Sequence, residues 1–254
     1  MKTLYVSCLY DLYKIPPGPD PELYNLSLDF RKKHYEWLIN CDVDLIMFVE
    51  PELMADLPPV KPNIRIVPLS LENLQVYKHV VSTPNLTLPE IRKAAKDTQK
   101  YMALINSKLE MMMLARDMIS AEYYTWIDSG ISKIFSDKDR AKRIVEHLAV
   151  NEHTDRIVSP AGWIQPDTNP ERLITDSPDW SFLGGYLVVP AGHMQHFFDQ
   201  FLHNLNTCMS RGRLVWEVNL WSQCHRQKPE WFDIFYNNGQ HDDTMIQRPD
   251  FAIL

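Results

Sequence analysis

The run Tyr123-Tyr124-Thr125-Trp126-Ile127 is apolar and β-prone, and Asp128 stands at its end, followed closely by Gly130. Strands buried on both faces read this way. A carboxylate at the carboxyl end of such a strand lies where open α/β sheets place ligands. The hard oxygens of Asp128 suit Mg²⁺ or Mn²⁺, with diphosphate oxygens filling the remaining positions. A plain turn cap after a strand is the competing reading.

Four further groups have the right types for related chemistry. Lys108 falls on the apolar face of a helical pattern, between Leu104 and Met112. A lysine there needs an anionic partner, and a diphosphate is one. Asn106 and Ser107 beside it add hydrogen-bond donors, while snorkelling or an internal salt bridge is the alternative for the lysine. Gly184-Gly185 interrupts an apolar run, as close backbone approach by a ligand requires, or else as a bulge does. Glu217 and Asp179 are the candidate bases for deprotonating an acceptor hydroxyl. Glu217 also suits the first turn of a helix on dipole grounds alone. His241-Asp242-Asp243 offers an imidazole and two carboxylates near the end of the chain, as metal ligands or as an exposed polar segment.

The elements that must carry these groups follow from periodicity. Strands are expected at Thr3–Leu9, Leu45–Val49, Ile64–Pro68, the run ending at Asp128, Arg156–Gly162, Phe182–Pro190 and Trp231–Tyr236. Helices are expected at Leu28–Asn40, Gly192–Thr207 and Val215–Arg226, and an exposed one at Lys138–Ala149. A helical region starts at Pro84–Ala95 and restarts near Asp97. From there to Ile119, Tyr101, Leu104, Lys108, Met112, Ala115 and Ile119 recur on one face. Strands alternating with helices predict an α/β fold with parallel pairing.

Composition sets the outer bounds. The 254 residues carry a formal net charge of -7, which disfavours a general nucleic-acid binder. The length suits a single α/β domain over 1–254. Cys8, Cys41, Cys208 and Cys224 are scattered and form no C-x-x-C, so reduced thiols and a cytoplasmic location are expected. No apolar run approaches the roughly 20 residues that span a bilayer. Peripheral membrane association stays open. Neither a G-x-S-x-G elbow nor a P-loop is present.

In order along the chain, Asn106-Ser107-Lys108, Trp126-Ile127-Asp128-Ser129-Gly130-Ile131, Phe182-Leu183-Gly184-Gly185 and Glu217-Val218-Asn219-Leu220 resemble the pattern of the HtrL/YibB-type bacterial family. That family is similar to GT-A-fold glycosyltransferases of lipopolysaccharide and capsule synthesis. The resemblance implies a Rossmann-like nucleotide-sugar fold, with a nucleotide part at about 1–135 and an acceptor part at about 136–254. It implies transfer of a sugar from a UDP- or GDP-sugar to a hydroxyl of a surface polysaccharide or lipid-linked glycan. It puts Ser7, Leu9, Tyr10 and Glu50 near the nucleoside, and Asn106, Lys108, Trp126, Gly184 and Gly185 around the rest of the donor. Asp128 fills the role of the D-x-D metal motif, with Mn²⁺ or Mg²⁺ as cofactor. Gly130 stands where the second aspartate is usual, so His241 is implied as a further ligand. A non-catalytic nucleotide-sugar-binding protein on the same fold is the alternative that the missing aspartate favours.

Overall fold

Short apolar runs dominated by Val, Ile, Leu, Phe and Tyr form the strands of a seven-stranded sheet at the centre of the molecule. The computed structural model describes residues 2–15, 24–151, 154–163, 175–237 and 242–247. The strands are β1 (Thr3–Leu9), β2 (Leu45–Val49), β3 (Ile64–Pro68), β4 (Tyr123–Ile127), β5 (Ile157–Ala161), β6 (Tyr186–Pro190) and β7 (Phe232–Tyr236). Their spatial order is β3-β2-β1-β4-β6-β5-β7. β1 pairs in parallel with β2 and β4, β2 with β3, and β5 with β7. β6 is antiparallel to both of its neighbours. The fold is therefore mixed α/β with a mostly parallel sheet, compatible with a Rossmann-like arrangement.

Residues alternate between the two faces of the sheet, and each face has its own core. Leu4 and Val6 of β1 and Ile46 and Phe48 of β2 join one apolar cluster. Helices α2 (Gln75–Ser82), α3 (Gln99–Asn106), α4 (Lys108–Met118), α6 (Ala191–Ser210) and α7 (Glu217–Gln227) complete it. Tyr5, Leu45 and Met47 face the other cluster, covered by α1 (Leu28–Ile39) and α5 (Lys138–Asn151). Among the described residues no helix is long and apolar enough to cross a membrane.

Several expected elements differ in form. Residues 84–97 hold no regular helix: Thr87 bridges instead to Arg213, and Asn85 has φ 58. Pro89 explains this, since it stands in the interior of the expected segment and cannot continue a helix. The long periodic segment is two helices that break at Ser107, whose backbone leaves the α region at ψ 0. Its hydroxyl bonds back to Ala103 O at 2.9 Å, a contact that bends helices. Helix α5 is not exposed on all sides, since it buries Ala141, Ile144, Val145 and Leu148 at helical spacing. The expected Phe182–Pro190 strand starts only at Tyr186, because Phe182–Gly185 forms a turn.

Candidate functional site

Strand order places the site. Beside β1 the order reverses, with β2 and β3 on one side and β4 on the other. Such a switch point opens a crevice at the carboxyl ends of the strands. Leu9 ends β1 and Asp128 follows β4, so both stand at this crevice. It widens into a cleft of about 920 Å³ that both residues line. That volume is within the ~300–1,000 Å³ usual for small-molecule sites. The Asp128 side chain is 43% exposed, so it faces the cleft and is not sealed in the core.

A closed set of contacts fixes this carboxylate. The Trp126 indole N–H donates to Asp128 Oδ1 at 2.7 Å. Lys108 Nζ approaches the same oxygen at 3.0 Å. It also donates to Glu217 Oε1 at 2.8 Å and to Gly184 O at 2.8 Å. Three acceptors use all three N–H groups of the ammonium. Burial pulls the Lys108 amine down, but Asp128 and Glu217 together more than offset it, so its pKa is raised and the charge is kept. Burial pushes the Asp128 carboxyl up, and Lys108 and the Trp126 N–H override that, holding it below the ordinary carboxylate value.

The antiparallel run of β6 explains why Gly184 and Gly185 are here. Tyr186 at the start of β6 pairs with Ile127 at the end of β4. The turn before β6 therefore arrives at the acidic tip, and Asp128 N donates to Gly185 O at 3.0 Å. A Cβ at Gly184 would lie 2.5 Å from Glu217 Oε1. A Cβ at Gly185 would lie 3.1 Å from Met245 Cε and 3.7 Å from Asp128 Oδ2. The close approach expected at the glycines is thus made by Glu217 and Met245. At Gly130 a Cβ meets nothing within 4 Å, so no packing demand accounts for glycine where a second acid was expected.

The other expected site residues separate into two groups. Leu9, Tyr10, Trp126 and Glu217 line the cleft with Asp128, Lys108 and the two glycines. Ser7, Asn106, Glu50 and Asp179 are committed elsewhere. Ser7 is fully buried and donates to Ile127 O, which ties β1 to β4. Asn106 is fully buried and its amide donates to Met102 O and Val215 O. Glu50 accepts from Asp11 N and Lys14 Nζ, shaping the turn after β1. Asp179 is 1% exposed, ion-paired with Arg226 at 3.1 Å and hydrogen-bonded by Ser181 and Ser222. A carboxylate so enclosed cannot meet an acceptor hydroxyl, which removes it as a base. Lys108 is corrected too: with its three donors engaged, it acts on Asp128 and Glu217 and has no N–H to spare for a phosphate.

The expected metal set is not assembled by the described residues. Asp128 Oδ1 is already taken by Lys108 and Trp126. Asp242 caps Thr244, and Asp243 accepts from Ser136 and Asp137, so both carboxylates serve the local chain. His241 lies outside the described residues. Among the described residues no group of three His, Cys, Asp or Glu side chains is placed to hold a metal ion. Among the described residues Asp128 Oδ2 is the one oxygen left at the tip for a divalent ion, whose other positions diphosphate oxygens and water would have to fill.

The sequence reading overlooked the cations of the cleft and the place of Tyr101 beside them. Arg31, Arg92, Lys93, Lys96 and Lys133 all line it. The Tyr13 and Tyr101 rings are 6.5 Å apart, with Arg31 5.0 Å from the first and Lys96 4.8 Å from the second. Burial raises the Tyr101 phenol well above its ordinary value, and Glu217 and Asp128 raise it further, so it stays protonated. Burial, reinforced by Asp128, lifts the Cys8 thiol to about 12, so this cleft thiol is not a nucleophile. A signal was present in Ile131-Ser132-Lys133, which directly follows the acidic turn. No protein-family model and no curated protein matches this chain.

Proposed function

We propose that the chain is a glycosyltransferase that moves a sugar from a nucleoside-diphosphate sugar, UDP- or GDP-linked, to a hydroxyl of a glycan acceptor. The HtrL/YibB-type resemblance points to surface polysaccharide or lipid-linked glycans as acceptors and to a GT-A variant of the α/β fold. One observation carries the reading: an exposed, rigidly held carboxylate, Asp128, at the carboxyl end of the strand beside the switch point. Its free oxygen is placed to accept from hydroxyls of the donor sugar. Leu9 and Tyr10, at the end of β1, line the same cleft, where the resemblance would put the nucleoside.

Glu217 is the base this geometry favours. Lys108 occupies Oε1, and Oε2 carries no hydrogen bond among the described residues. The acceptor oxygen attacks the anomeric carbon as the bond to the diphosphate oxygen breaks. The acceptor proton passes to Glu217, and the bond electrons leave with the diphosphate. Lys108 bridges the two carboxylates and holds them aligned, the preorganised arrangement on which such electrostatic catalysis depends.

A panel of nucleotide sugars assayed for donor hydrolysis tests the proposal. One or more donors should be cleaved. Asp128→Asn should lower turnover by roughly 100-fold or more while the circular dichroism spectrum stays unchanged. Full activity in that variant would defeat the assignment. The glycine at position 130 favours a second reading, a nucleotide-sugar-binding protein without turnover. Tight UDP binding in calorimetry with no donor cleaved would select it.

A further inference from the structure

We infer that the cleft binds the diphosphate of its ligand without a metal ion, on a cationic rim built from Arg31, Lys96 and Lys133. The inference rests on the nucleotide-sugar reading for its ligand class, and on separate residues for its site. Two lips of the switch-point crevice carry the charges. On the β1 side, Arg31 reaches from α1 and donates to Tyr10 O, with a second contact to Leu26 O at 3.3 Å. Its guanidinium is thereby fixed just past the end of β1. On the β4 side, Lys133 sits on the 3-10 turn Ile131–Ile134 that follows Asp128. Lys96 closes the third side, with its own Asp97 at a loose 3.8 Å.

Neither Arg31 nor Lys133 forms an ion pair with a carboxylate among the described residues. Lys133 is exposed to the cleft; of the charges that act on it Asp128 attracts, while Lys96, Arg31 and Lys108 repel it. The whole chain is at -7, yet six lysines and arginines line this cleft against four acids, Glu90, Asp97, Asp128 and Glu217. A polyanion relieves the repulsion among Arg31, Lys96 and Lys133, and an excess of positive charge in a cleft concentrates such ligands. Three cations suit the roughly two negative charges of a diphosphate ester, with aromatic rings of Tyr13 and Tyr101 beside them. Asp128, whose Oδ1 is held by Lys108 and Trp126, is then left to the sugar through Oδ2. The charge that a D-x-D-bound ion would bring is supplied by side chains, which is consistent with glycine at position 130.

Calorimetry with UDP and with inorganic pyrophosphate, in EDTA and at low salt, tests this. Wild-type protein should bind both without metal. Lys133→Met and Lys96→Met should each weaken binding by roughly tenfold, the scale of one charge-assisted contact. Lys142→Met, on the outer side of α5 and away from the cleft, should leave binding unchanged. UDP binding that requires Mn²⁺ and is indifferent to Lys133→Met would overturn the rim while leaving the transferase reading intact. Metal-free binding of both probes through Lys133, with no nucleotide sugar turned over, would support the rim and count against the transferase.

Discussion

An ammonium enclosed by protein is costly unless every donor is satisfied, and Lys108 meets that condition with two carboxylates and one carbonyl. The arrangement makes the state of Asp128 predictable. Its folded pKa is depressed, so its share of stability is fully present above the unfolded value and is lost as pH falls through the folded one. The ordinary value is 3.8, and the folded one lies lower. The Trp126 indole N–H bonds this carboxylate and reports its protonation. Its ¹H–¹⁵N resonance should hold steady from neutral pH to about 4 and move only below that. A midpoint above 5 would mean that Lys108 does not pair with Asp128. The glycines make a second test at this scale. Gly184→Ala puts a methyl 2.5 Å from Glu217 Oε1, and Glu217 cannot swing away without breaking its pair with Lys108. A loss of roughly 1–3 kcal/mol in denaturant melts and a sharp drop in donor hydrolysis are expected. Gly130→Ala, which meets nothing, should change stability by less than about 0.5 kcal/mol.

Elements bring these residues together, and how far the sequence reveals them depends on the physics of each. β1, β2 and β4 are legible because both faces are buried and the apolar runs are continuous. Asp128 at the tip of β4 is legible for the same reason. The direction of β6 is not, since an apolar run looks alike in a parallel or antiparallel strand. Its reversal is what sends Gly184 and Gly185 to the acidic tip, so the partner of the glycine pair could not be read. Ser7, Asn106 and Asp179 mislead for another reason: polar side chains inside a core and at a ligand site have the same residue types, and only coordinates tell which backbone groups they satisfy. Helix ends show the same dependence on tertiary contacts. Leu74 at the start of α2 gives no side-chain cap. Glu110, on α4, covers that end instead, accepting from Gln75 N at 2.6 Å and Val76 N at 2.8 Å. Glu110→Ala leaves those N–H groups unpaired and should cost about 1–3 kcal/mol, measured by chemical denaturation. A cost near zero would mean that water satisfies the α2 terminus equally well.

The whole molecule joins a parallel block, β3-β2-β1-β4, to a second block, β6-β5-β7, along the single β4–β6 seam. The cleft opens across this seam. Leu9, Arg31 and Lys133 come from the first block and its turns, while Gly184 and Gly185 precede the second and Glu217 starts the helix that packs with it. A ligand that fills the cleft therefore touches groups from both blocks in the native state, and unfolding separates them. Such a ligand adds stability by mass action, about 2.7 kcal/mol at a concentration one hundred times its Kd. For a chain of this size each kcal/mol raises the midpoint by roughly 2–4 °C, so a rise of about 5–10 °C is expected. Differential scanning fluorimetry with UDP measures it directly. The rise should shrink as salt screens the cationic rim, since exposed charges lose most of their reach beyond a Debye length of about 8 Å at physiological ionic strength. A midpoint that does not move at millimolar UDP and low salt would mean that no nucleotide engages the native cleft. A rise of equal size at all salt concentrations would instead assign the affinity to Tyr13, Tyr101 and the other apolar walls of the site.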